Sequence, residues 1–152
     1  MDYLKIQTEF MRDAYNRDYK GKNIRNTYGY YKGDVALMTN TYVCLIPKNK
    51  CWLNLETVFN KPPVNAEKIL DGDFQPVVDT NEIVIKTKDR KQFKLHKFKL
   101  NEEEIYINDD ILKKFKLDSP TYEGMGSKSI VLIYEYGYLV AGILPITINY
   151  FD

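Results

Sequence analysis

At 152 residues, the chain has room for one ordinary hydrophobic core and little else. Its composition, 44% hydrophobic and 28% charged, excludes wholesale disorder. Twenty-two Lys and Arg against 21 Asp and Glu leave a formal charge of +1, so no global field draws it to nucleic acid or membrane. The opening Met1-Asp2-Tyr3-Leu4-Lys5 is charged and has no apolar signal core. The longest apolar stretch, Leu139 to Leu144, is far short of the roughly 20 residues that span a bilayer. A cytoplasmic protein with no membrane contact is the expectation.

The first element is a helix over residues 3 to 19. Tyr3, Ile6, Phe10 and Ala14 fall on one helical face, widened by Met11 and Tyr15, with Gly21 as the stop. Strands are expected at Thr27 to Tyr31 and Val35 to Thr39 around the turn Lys32-Gly33-Asp34, and then at Tyr42 to Ile46 and Cys51 to Leu55. In that second hairpin Cys44 and Cys51 lie diagonally, with Cα atoms roughly 7–8 Å apart, too far to bridge comfortably. Two buried free thiols are expected. With one histidine in the chain, they make no zinc site.

From residue 60 to 80 the prolines, glycine and acids predict one irregular connection, with a helical turn at Ala66 to Leu70. A second strand group follows. Ile83 to Lys88 and Gln92 to Lys99 flank the turn Asp89-Arg90-Lys91, and Ile105 to Ile107 comes next. Asn108 to Lys116 has an Asn cap, acids in the first turn and lysines in the last, which suits a short helix. A loop at Ser119 to Ser127 leads to strands Ile130 to Glu135 and Tyr138 to Ile148 around Gly137. The reading is one α+β domain over 1–152, mostly antiparallel and built from two similar halves: about 1–59 and 82–152, joined by a connector at about 60–81.

Catalytic chemistry is hard to assemble from these residues. A Ser-His or Cys-His arrangement must draw its base from His96, which lies in the alternating strand Phe93 to Phe98 and reads as structural. Gly124 to Ser129 looks like a phosphate loop, but Ser127 separates Gly126 from Lys128 and a strand follows rather than a helix. The acids Glu102 to Glu104 and Asp109-Asp110 point apart on their elements and read as solvated. No enzyme, metal or cofactor is expected.

Charge is uneven locally. Lys86, Lys88, Arg90, Lys91, Lys94, Lys97 and Lys99 stand against the single acid Asp89, and Lys5, Arg12, Arg17, Lys20, Lys22 and Arg25 belong to the first helix and its exit. Such groups either meet phosphates or guard a sheet edge. Tyr15, Tyr19, Tyr28, Tyr30 and Tyr31 read as core and rim.

Gly33 to Val43 resembles the sliding-clamp segment in which a strand runs into a threonine-containing turn, here Met38-Thr39-Asn40-Thr41. Ile105 to Phe115 resembles the clamp's strand-to-helix step. Ser129 to Ile146 resembles the closing hairpin of a DNA polymerase processivity clamp, with its hydrophobic-proline end at Leu144-Pro145-Ile146. In that family each domain is a duplicated unit of one helix and a four-stranded sheet, and six domains close a ring around DNA. The resemblance implies a DNA-clamp-like domain that binds DNA and replication proteins. Lys5, Arg12, Lys113 and Lys114 would then lie on the DNA-facing helices, and Leu144, Pro145 and Ile146 in a groove for partner peptides. It also implies a homo-oligomer, since one chain supplies one domain. The family has three strands after the second helix, where two are expected here.

Small size and a Lys-, Asn-, Ile- and Tyr-rich composition suit a phage protein. A second reading is a phage-type interaction or inhibitor module for host proteins that keeps the fold without the ring. A third is a small enzyme with carboxylates on a bound metal.

Overall fold

The computed structural model describes residues 1–19, 26–59 and 62–151. The chain folds as two compact units, Met1–Asp71 and Gly72–Asp152. Both combine helix with mostly antiparallel strand, so the class is α+β.

In the first unit, α1 (Tyr3–Tyr19) begins at Asp2, whose carboxylate accepts the Lys5 N–H at 3.0 Å. That bond satisfies a donor the first helical turn leaves open. Ile6, Phe10 and Ala14 are buried as their spacing predicts. Gly21, the expected stop, lies outside the described residues, as do Lys20, Lys22 and Arg25 and the side chains of Tyr15, Arg17 and Tyr19.

Strands β1 (Thr27–Tyr31), β2 (Asp34–Met38) and β3 (Tyr42–Ile46) form an antiparallel meander close to the expected spans. The β1–β2 turn is tight, with positive φ at Lys32 and Gly33. In the β2–β3 connection the Thr39 hydroxyl accepts the Thr41 and Tyr42 N–H groups, each at 3.1 Å. Ala36, Leu37, Cys44 and Ile46 are fully enclosed. Burial pushes the Cys44 thiol up to about 12, which keeps it protonated and unreactive.

The expected strand Cys51 to Leu55 does not form. After β3 the chain makes a 3-10 turn at Lys48–Lys50, an extended stretch, and then helix α2 (Leu55–Val58). This stretch is held instead by Gln7, a buried polar residue on α1. Its amide donates to the Lys50 carbonyl at 2.9 Å and accepts the Trp52 N–H at 2.8 Å. The backbone bonds that a hairpin would need are therefore taken by a helix side chain. The two thiols are free, as expected, but Cys51 is only half-buried and no hairpin relates them.

The stretch from 60 to 81 is far from structureless. It holds β4 (Val64–Asn65), α3 (Glu67–Leu70) where a helical turn was expected, and the start of β5 (Gln75–Lys88). Strand β4 pairs parallel with β1 opposite Gly29 and Tyr30, giving the order β4-β1-β2-β3.

The second unit has the strand order β10-β9-β8-β5-β6-β7. Strand β5 changes partner along its length. Residues Gln75 to Val77 pair with β8 (Thr121–Gly124), and from Val78 the strand pairs with β6 (Lys91–Leu100), with an irregularity between Asp79 and Glu82. Next come β7 (Glu103–Asn108) and α4 (Asp109–Lys114), capped by the Asn108 side chain on the Asp110 N–H at 3.0 Å. Strands β8, β9 (Val131–Glu135) and β10 (Tyr138–Ile143) close the unit as a meander.

Two expectations are corrected here. The loop Ser119 to Ser127 contains β8, so three strands follow α4 rather than two. The last strand ends at Ile143, and its continuation runs to a 3-10 turn at Ile148–Phe151. Leu95, Phe98, Ile105, Ile107, Phe115, Val131, Ile133 and Ile143 form the core.

Gly29 makes the parallel β4–β1 pairing possible, because a Cβ there would lie 2.0 Å from the Val64 carbonyl oxygen. Gly29→Ala should therefore displace β4 and cost about 1–3 kcal/mol in urea denaturation. An unchanged midpoint would contradict this packing.

Candidate nucleic-acid interface

The seven-cation stretch of the sequence lies along the β5–β6 hairpin. Beyond Val77 strand β5 has left β8, and β6 meets β7 only from Leu95 onward. Residues 83–94 therefore form a ribbon of two strands. The turn at its tip has φ of 51° at Asp89 and 63° at Arg90, the mirror-image geometry that suits the twist of a tight hairpin.

Register sorts the side chains. Ile83, Ile85 and Thr87 share one face with His96, Lys94 and Gln92, their cross-strand partners. That face is open, with Ile83 45% and Ile85 55% exposed. Val84, Lys86 and Lys88 share the other face with Leu95, Phe93 and Lys91. The C-terminal 3-10 turn closes part of it, as Phe93 meets Phe151 with ring centroids 5.4 Å apart and Tyr150 at 6.3 Å.

The cations have different fates. Lys97 bridges Glu82 at 3.2 Å and Glu104 at 2.9 Å, and these carboxylates raise its pKa. Lys99 faces Glu104 in register. Lys88 donates to the Tyr150 carbonyl and lies 3.9 Å from the centre of the Tyr150 ring. Lys86, Arg90, Lys91 and Lys94 make no ion pair among the described residues.

The helix cations are not gathered into one site within either unit. Lys5 and Arg12 are exposed on α1 in the first unit, whereas Lys113 and Lys114 are exposed on α4 in the second. Lys113 is already engaged, 2.9 Å from Asp109. Of the proposed peptide groove, Leu144 is exposed and Pro145 and Ile146 are half-buried. The Ile146 N–H donates to the Tyr106 carbonyl at 2.8 Å, which ties this segment to β7.

His96 is a satisfied strand histidine with partners the sequence did not indicate. Its side chain is 14% exposed, its Nε2 is 2.6 Å from Asp79, and its Nδ1 is 3.2 Å from Asp109. Its ring stacks on Phe98 at 4.7 Å. Asp109, read from the sequence as a solvated helix-start acid, is 4% exposed. Burial alone would raise its pKa, but hydrogen bonds from Lys113 and His96 outweigh that and hold it below the ordinary value. Among the described residues no group of three or more His, Cys, Asp and Glu is placed to hold a metal ion. The Gly124 to Ser129 segment is unsuited to phosphate, since the Glu103 carboxylate occupies the Ser127 N–H at 2.8 Å.

One feature of the first unit also escaped the sequence. Trp52 is 63% exposed and borders a cleft of ≈ 380 Å³ with Tyr30, Lys48, Leu53 and Glu56. Its backbone is fixed by Gln7. A polar residue on the Tyr3–Phe10–Ala14 stripe was the available signal, because a buried amide must find partners. Tyr28 and Tyr31 are buried and Tyr30 is exposed, the mix of core and rim expected of the tyrosines.

No helix among the described residues is long and apolar enough to cross a membrane. No protein-family model matches the chain, and no curated protein or solved structure does.

The lowered Asp109 pKa sets the sign of an acid dependence. A carboxylate held below its ordinary 3.8 stabilises the fold above that value, and the stabilisation disappears as pH falls through the folded-state value. The stability gap between the parent protein and Asp109→Asn should shrink between about pH 5 and about pH 2 in denaturant titrations. A gap independent of pH would contradict the arrangement.

Proposed function

We propose that this chain is a non-enzymatic DNA-binding protein with a clamp-like order of elements. The observation that carries the reading is the ribbon of residues 83–94, where Lys86, Arg90, Lys91 and Lys94 lack ion-pair partners among the described residues and Asp89 is the one acid. A phosphate backbone supplies complementary charge, and each neutralised phosphate releases condensed counterions. The helix faces are the weaker candidates, since Asp109 occupies Lys113 and Asp110 adjoins it.

The clamp-like part of the reading is supported by a recurrence. A helix followed by a three-stranded antiparallel meander occurs as α1-β1-β2-β3 and again as α4-β8-β9-β10. It is qualified by inequality, because α1 has 17 residues and α4 has six. Replication proteins are the protein partners that this order of elements implies.

Fluorescence anisotropy with a labelled DNA duplex tests the proposal. Binding should weaken with salt, with a slope of log K on log salt of about −3 to −4 for three or four phosphate contacts. Lys91→Glu combined with Lys94→Glu should abolish binding while the fold survives, both side chains being exposed. No binding at low salt would refute the reading.

A second reading, a protein-interaction module, is favoured by Trp52. An exposed indole on a fixed backbone beside Tyr30 is the type of anchor that protein interfaces concentrate upon. Its partner would be a peptide offering an apolar side chain to the cleft. Light scattering separates the readings: a closed ring of copies supports the clamp, and a strict monomer at high concentration supports the module.

A further inference from the structure

The ribbon has two unlike faces, and the difference identifies which side chains would meet what. The face of Val84, Lys86, Phe93 and Leu95 is backed by the C-terminal turn, with Leu95 fully buried. The face of Ile83, Ile85, Thr87, Gln92 and Lys94 has nothing packed over its tip among the described residues, and Thr87, Gln92 and Lys94 are exposed.

We infer that this open face enters the major groove of duplex DNA, with Gln92, Lys94 and Thr87 contacting base edges and Lys86, Arg90 and Lys91 contacting phosphates. The inference rests on the DNA-binding reading above and deepens it. The major groove, about 12 Å wide, admits a two-stranded β-ribbon. Each kind of side chain on the open face has a counterpart on the groove floor. A glutamine amide pairs with the N6 and N7 edge of adenine, a lysine with the O6 and N7 edge of guanine, and a threonine with either.

Register places these groups together. Thr87 is directly opposite Gln92, and Ile85 is directly opposite Lys94, so the open face presents two neighbouring cross-strand pairs. Ile85 supplies an apolar surface of the kind that contacts a thymine methyl. The remaining cations flank this face: Arg90 lies in the turn, and Lys86 and Lys91 on the other side of the ribbon. Long basic side chains in those positions would meet the phosphates of the groove walls. Asp89 alone opposes them, leaving a net charge of +2 on the turn and flanks, from three cations and one acid.

Selection from a randomised duplex pool, paired with anisotropy measurements on the selected and an unselected duplex, tests the assignment. The parent protein should enrich a short motif. Gln92→Ala should lose about tenfold of the preference at one base position and leave the salt slope unchanged. Lys94→Ala should relax a neighbouring position. Arg90→Gly, which suits the turn's backbone, should weaken all duplexes equally and reduce the salt slope by about 1.

A pool that shows no enrichment, while duplex is still bound with a salt slope, would overturn base reading and leave the DNA-binding reading standing. Tighter binding to single strands than to duplex would overturn the groove geometry. No binding of any duplex at low salt would overturn both readings together.

Discussion

The second unit depends on the kink in β5, and His96 holds that kink. The strand leaves one partner and takes another between Val77 and Val78, and just beyond, at the irregularity between Asp79 and Glu82, Asp79 accepts a bond from the imidazole. The other ring nitrogen faces Asp109 at the start of α4. One ring thus links strand kink, central strand and helix. A neutral imidazole donates one hydrogen bond, whereas the doubly protonated ring donates to both carboxylates. The group is compact because it must be: a buried carboxylate without partners carries a large desolvation cost, and Asp109 meets it with His96 on one side and Lys113 on the other. Phe98 lies beneath the imidazole and Tyr122 beyond Phe98, so this polar trio rests on the apolar core.

The ribbon follows from the change of partner. Once β5 departs from β8, residues 83–94 have only each other for backbone pairing, and two unpaired edges result. Exposed edges invite association with other strands, and lysines are the usual guard against it. The same lysines acquire a second meaning when their counter-charges are considered. Lys97, near the root of the hairpin, is neutralised by Glu82 and Glu104, whereas Lys86, Arg90, Lys91 and Lys94 toward the tip make no ion pair among the described residues. Charge is absorbed where the sheet is three strands wide and left available where it is two.

The first unit is organised by a different polar residue. Gln7 is buried on α1 and takes the backbone bonds of Lys50 and Trp52. The bonds that fix an exposed indole are therefore made by a helix some 45 positions earlier in sequence. This one side chain holds the stretch after Pro47 in its non-strand course beside the aromatic cleft.

Elements whose causes are local were legible in the sequence. The spacing of Ile6, Phe10 and Ala14 specified α1, the Asn108 cap and its following acids specified α4, and the turn residues at Lys32-Gly33, Asp89-Arg90 and Tyr136-Gly137 located three hairpins. Strand β8 was illegible because it is four residues long and one of its two partners, β5, lies far earlier in sequence. The buried state of Asp109 was illegible for the same reason, since its partner His96 belongs to another strand. The candidate interface was half legible: the run of cations was plain, but their number is no guide to their availability.

The sequence by itself determined the class of the fold, the position of three hairpins and the presence of a local excess of positive charge, because periodicity, turn chemistry and composition act over a few residues. Only the tertiary structure decided which of those charges remain unpaired and which face of the ribbon is open. Ion pairing and burial depend on neighbours brought in from β7 and the C-terminal turn, and distance in space, rather than distance along the chain, governs both.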